Sequence, residues 1–153
     1  MPAKVSLRDI VEAFDMQSDG FLSFVNIETG EVETVSREVM GVAEESEKGE
    51  DYEKGDDPQW DLAVKIASAP NYKGLPTQYD IHEWSIMEEF ARSPASERMS
   101  GELLDALHGS GAFRHFKSTI RRLGNERDWY AFRDAALREI AKDWCRGHGL
   151  EWK

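Results

Sequence analysis

The stretch from Gly109 to Trp144, GSGAFRHFKSTIRRLGNERDWYAFRDAALREIAKDW, decides how the rest of the chain is read. Phe113, Phe116, Ile120 and Leu123 recur at spacings of three and four, which puts them on one helical face. Trp129, Phe132, Ala136, Ile140 and Trp144 repeat the pattern, with Leu137 beside them. Leu123-Gly124-Asn125 between them is short enough to turn the second helix back, antiparallel to the first. Gly124 suits the left-handed position just past a helix end, and Asn125 can cap the next start. Glu126 and Asp128 then fall in a first turn, where the helix dipole favours acids.

The other face of the first helix is basic, with Arg114, Lys117 and Arg121. From His108 to Arg127, five bases stand against Glu126 alone. The helix is entered through Gly109-Ser110-Gly111. Backbone N–H groups at a helix start point outward and the dipole favours an anion there. Basic side chains in the first two turns can add charge-assisted bonds to phosphate or carboxylate. Gly111, Arg114, Lys117 and Arg121 are therefore the candidate ligand-binding residues. The competing reading is structural: the glycines only make a tight turn, and the bases face solvent or the chain's own acids.

Those acids are concentrated. The chain has 153 residues with a net charge of −11, and residues 28–61 hold thirteen acids against three bases. Outside that segment the chain is close to neutral. A dedicated nucleic-acid binder shows a strongly basic domain, so nucleic acid is a possible but not a favoured partner. At 40% hydrophobic and 32% charged, the composition is that of a globular protein with one domain over residues 1–153. No apolar run reaches the roughly 20 residues of a membrane span, and no signal-peptide core stands at the start. The single cysteine, Cys145, leaves no internal disulfide and fits a reducing cytoplasm.

The remaining patterning predicts an α+β fold, mostly helical, with an N-terminal β-hairpin and a C-terminal helical hairpin. Residues 5–14 read as a helix capped by Ser6. After a turn at Ser18-Asp19-Gly20, residues 21–27 and 32–35 read as hairpin strands, with Gly30 supplying a positive φ in the loop. A helix follows from about Ser36, then the acidic run 44–58, read as a solvated loop or mobile segment. Trp60, Ala63, Val64 and Ala67 mark another helix, and residues 72–76 an extended piece. Asp80 and Glu83 read as a capping box with Tyr79 and Trp84 as its hydrophobic staple. Ile81, Trp84, Ile86, Met87, Phe90 and Ala91 give that helix a wide apolar face. Leu103, Leu104 and Leu107 mark a short helix ended by Gly109.

Other motifs fail on their own terms. Asp15 to Gly20 opens like a calcium loop, but loop position 12 is Asn26 where a glutamate is required. His82-Glu83 opens like a zinc-protease helix, but Ile86 stands where the second histidine belongs. Cys145 and His148 have ligand-like spacing without a second pair. No metal or cofactor is expected. Glu88, Glu89, Asp105 and Asp134 include no pair that spacing singles out for acid–base work. Trp129-Tyr130 beside Arg133 has the composition of a stacking site, against a core role for Trp129 and an acidic neighbour, Glu126 or Asp134, for Arg133.

Three segments also carry a resemblance. MQSDGFLSFVNIETGEV (16–32), IHEWSIMEEF (81–90) and GSGAFRHFKSTIRRLGNERDWYAFRDAALREIAKDWC (109–145) resemble, in order and spacing, a bacterial uncharacterised protein family, number 0158 of the UPF series. The most specific part is GAFRHFK with the following WYAFRD. The resemblance implies a small cytoplasmic protein of one domain and brings no catalytic residues with it. The catalytic residues, if any, are unknown, and enzyme status is open. The expected function is a non-catalytic binding or regulatory module that uses the basic helix start to hold an anionic ligand or partner. The alternatives are a small enzyme acting on a phosphorylated substrate, with His108 or His115 moving protons, and a self-associating interaction protein.

Overall fold

The structure is a computed structural model, and it describes residues 4–17, 20–45 and 59–153. Among these the elements run β1 (Lys4–Val5), α1 (Leu7–Met16), β2 (Phe21–Asn26), β3 (Val32–Ser36), α2 (Arg37–Glu45), α3 (Trp60–Ser68), β4 (Tyr72–Gly74), α4 (Glu83–Ala91), a 3-10 helix (Pro94–Met99), α5 (Ser100–Ala106), α6 (Ala112–Arg122), α7 (Glu126–Gly147) and β5 (Glu151–Trp152). The fold is α+β and mostly helical, with the N-terminal β-hairpin that the patterning predicts, and α6 and α7 follow one another at the C-terminal side and touch through Phe116 and Trp129. The chain forms two compact units, Met1–Asp80 with Ala141–Lys153, and Ile81–Ile140. The acidic run expected as a loop lies largely outside the described residues; α2 extends into its first two positions, Glu44 and Glu45. Most of the turn at Ser18-Asp19-Gly20 lies outside them too.

In the first unit the Ser6 hydroxyl accepts the Asp9 N–H at 3.2 Å and starts α1. β2 is the middle strand of a three-stranded antiparallel sheet, flanked by β3 and β4. Gly30 turns the hairpin at φ 81°. Asn26 is buried and its Oδ1 accepts from the N–H groups of Glu28 and Thr29 and from Asn71 Nδ2. One side chain thereby satisfies the loop and ties it to the approach to β4. A core of Val35, Val39, Met40, Ala43, Trp60, Ala63 and Ile66 joins β3, α2 and α3. The two chain ends meet in a parallel pair, β1 with β5, extended by Leu7 N–H to Lys153 O (3.1 Å) and Lys153 N–H to Val5 O (2.9 Å).

In the second unit the core is aromatic. Phe90 of α4 lies 6.5 Å from Phe116 of α6 and 5.5 Å from Trp129 of α7, centroid to centroid, and Phe116 lies 5.0 Å from Trp129. All three pairs meet edge to face, the favoured arrangement for rings carrying a quadrupole. Met87, Leu103, Ile120 and Leu137 are buried in the same unit.

Several local expectations are corrected. Asp80 and Glu83 do not form a capping box. The Asp80 carboxylate accepts from the N–H and hydroxyl of Thr77, and the α4 N-cap is His82, without a side-chain bond. Tyr79 is 69% exposed, so it makes no staple. Phe113, expected on the apolar face of α6, is half exposed. In α7 the buried row is Trp129, Leu137, Ala141 and Cys145, with Phe132, Ala136, Ile140 and Trp144 only partly covered.

Candidate functional site

The basic face belongs to α6. Its N-cap is Gly111 at φ 76°, in the left-handed region, two residues after Gly109 at φ 82°. No side chain caps the helix. The first ladder bond runs from His115 N–H to the Gly111 carbonyl at 2.9 Å, so the amides before it lack intrahelical acceptors. The His115 ring folds back over this start: a Cβ on Gly111 would lie 3.8 Å from its Nε2. The far end is closed by a Schellman motif. Asn125 N–H reaches Ile120 O at 3.0 Å and Gly124 N–H reaches Arg121 O at 3.2 Å, with Gly124 at φ 69°.

Along the face the four candidates divide. Arg114 and Lys117 are exposed and have no ion-pair or hydrogen-bond partner among the described residues. Arg121 is engaged: its Nε lies 3.2 Å from Glu126 Oε1 across the turn into α7. Arg122, beside it, holds Glu102 of α5 at 2.6 Å. Both pairs are well exposed, the kind that contributes at most about 1 kcal/mol. The free cationic part is thus Arg114 and Lys117, one turn apart at the glycine end, with the half-exposed ring of Phe113 beside them.

The other sequence motifs resolve into structure. Asn26, at position 12 of the calcium pattern, is spent on the hairpin loop, and β2 runs through the second half of that pattern. Glu83 binds the guanidinium of Arg133, with Nε at 3.1 Å and Nη2 at 2.5 Å. Arg133 is therefore a partner of α4, and Trp129 is core; neither is set out for stacking on a ligand. Asp134 pairs with Arg138 at 2.8 Å. His148 is not turned to Cys145: its Nδ1 contacts the Trp144 carbonyl at 2.9 Å and its ring lies 4.3 Å from the Trp144 ring. Cys145 is fully buried, and burial pushes its thiol pKa up. Among the described residues no group of three or more His, Cys, Asp or Glu side chains is placed to hold a metal ion. No described helix is long and apolar enough to cross a membrane.

A shallow pocket of about 250 Å³ is lined by Arg92, Ser93, Pro94, Glu97 and Ser100, between α4 and α5. Its lining comes from a helix end and the 3-10 segment, which carry no periodic signal in the sequence. Compared with family models, curated proteins and solved structures, the chain matches none.

Proposed function

We propose that this protein is a non-catalytic binding module whose α6 start receives the anionic group of a partner. One observation carries the reading: Arg114 and Lys117 stand exposed, and unpaired among the described residues, beside a helix N-terminus that none of those residues' side chains caps. Arg121, Arg122, Arg138 and Arg146 are matched to acids within 3.2 Å, while Arg37, Arg98 and Arg127 are exposed and, like Arg114, unpaired among the described residues. The exposed ring of Phe113 supports an acidic protein segment with an apolar residue over a free phosphate, because it offers contact area that an inorganic ion cannot use. A cytoplasmic setting goes with this reading, supported by the lone buried cysteine. The resemblance to the UPF family numbered 0158 agrees with it and adds no activity.

The test is fluorescence anisotropy with a labelled acidic peptide containing one aromatic residue, set beside inorganic phosphate and a short DNA duplex. Replacing Arg114 and Lys117 together by Ala is expected to weaken peptide binding about tenfold or more, since each charge-assisted bond is worth about 1.5 kcal/mol or above. Arg121→Ala is expected to change it less than threefold. An unchanged affinity in the double variant would sink the site assignment.

A further inference from the structure

Asn125 and Trp129 stand one turn apart at the start of α7, on the same face of the helix. Asn125 is 5% exposed and Trp129 is 1% exposed. Each carries a buried donor, Asn125 Nδ2 and Trp129 Nε1, with no hydrogen-bond partner among the described residues. Two other indoles of the chain are treated differently: Trp84 Nε1 donates to Leu107 O at 3.1 Å and Trp144 Nε1 to Gly74 O at 2.9 Å. A buried donor without an acceptor gives up its hydration with nothing in return, so two on one turn of helix call for an acceptor.

The neighbours do not supply it. Phe90 and Phe116 present rings to Trp129 at 5.5 and 5.0 Å. The carbonyls at the corner already serve the backbone: Asn125 O takes the Trp129 N–H at 3.1 Å, and Ile120 O takes the Asn125 N–H at 3.0 Å. The two donors also define what would satisfy them. Both are neutral, and an anion placed among aromatic rings would lose its hydration without gaining an opposite charge. A small neutral oxygen with two lone pairs meets both requirements, and internal waters are the usual partners of such groups. We propose that Asn125 and Trp129 bind one internal water, which accepts one hydrogen bond from Asn125 Nδ2 and one from Trp129 Nε1. The site lies at the corner where α6 hands over to α7, and it stands or falls independently of the basic face.

Water-selective NOESY and ROESY spectra of the ¹⁵N-labelled full chain test this directly. The Trp129 indole signal is assigned by its loss in Trp129→Phe. A long-lived water gives cross-peaks of opposite sign in the two spectra at both the Trp129 Hε1 and the Asn125 Hδ2 protons. Trp84 and Trp144, whose indoles have protein acceptors, are expected to show no such pair. Absence of the pair at either Trp129 or Asn125 would overturn the proposal, and same-sign peaks, which report proton exchange, count as absence.

Discussion

Gly30 and Gly124 show how one residue type meets two different demands. Both hold a positive φ, 81° and 69°. A Cβ on Gly124 meets open space, so Gly124→Ala bears only the left-handed backbone cost of about 1–2 kcal/mol. A Cβ on Gly30 would overlap the Lys4 carbonyl oxygen as well. Gly30→Ala is therefore expected to destabilise clearly more than Gly124→Ala in urea unfolding, and equal losses would show that the hairpin loop can move off Lys4. Cys145 makes a second residue-level case. Its pKa is raised by burial, so the folded state favours the neutral thiol. That contribution is fully present below the ordinary thiol value of 9.0 and is lost as pH climbs through the raised folded value. Stability is expected to decline above about pH 9, less so in Cys145→Ala, and a thiol reagent at pH 8 should label the native chain only at the rate of opening.

At the scale of elements, the second unit rests on its ring cluster. Phe90→Ala is expected to cost about 3–5 kcal/mol, because a fully buried ring leaves a cavity among Phe116, Trp129 and Phe132. Phe113→Ala, at a half-exposed position of α6, should stay within about 0.5 kcal/mol. Urea unfolding of the two variants checks the contrast. That contrast also marks what periodicity can and cannot say. Spacing places Phe113, Phe116 and Ile120 on one arc, but coverage depends on where neighbouring rings end, and here they end at Phe116. In α7 the spacing picks out Trp129-Phe132-Ala136-Ile140-Trp144 with Leu137 beside it, and packing instead buries Trp129-Leu137-Ala141-Cys145, a row one residue over. The Asp80–Glu83 spacing yields no capping box because both acids have partners beyond the motif, Thr77 and Arg133. β1 and β5 are two residues each and pair across nearly the whole chain, which local patterning cannot register. The basic face of α6 was legible residue by residue. Which of its bases stay unpaired was not, because the answer turns on Glu102 and Glu126, one of them twenty residues away.

For the whole molecule the question is how a chain of net charge −11 would attract an anion at all. Its field repels polyanions at long range, so steering works against encounter and only contacts at α6 favour the complex. Added salt relieves the repulsion, which acts over distances beyond the Debye length of about 10 Å at 0.1 M, and weakens the local attraction at the same time. The salt dependence should therefore report the few cations that touch the probe and little else. A short DNA duplex serves as a phosphate ruler here, since each phosphate neutralised contributes about −0.9 to the slope of log K against log salt. Arg114 and Lys117, the two cations of α6 unpaired among the described residues, set an expected slope near −2, made shallower by relief of the long-range repulsion. Replacing both by Ala should bring the slope close to zero. A slope near −4 in the native chain would mean that Arg121 and Arg122 give up Glu126 and Glu102 to the ligand, and the binding face would then run the full length of α6.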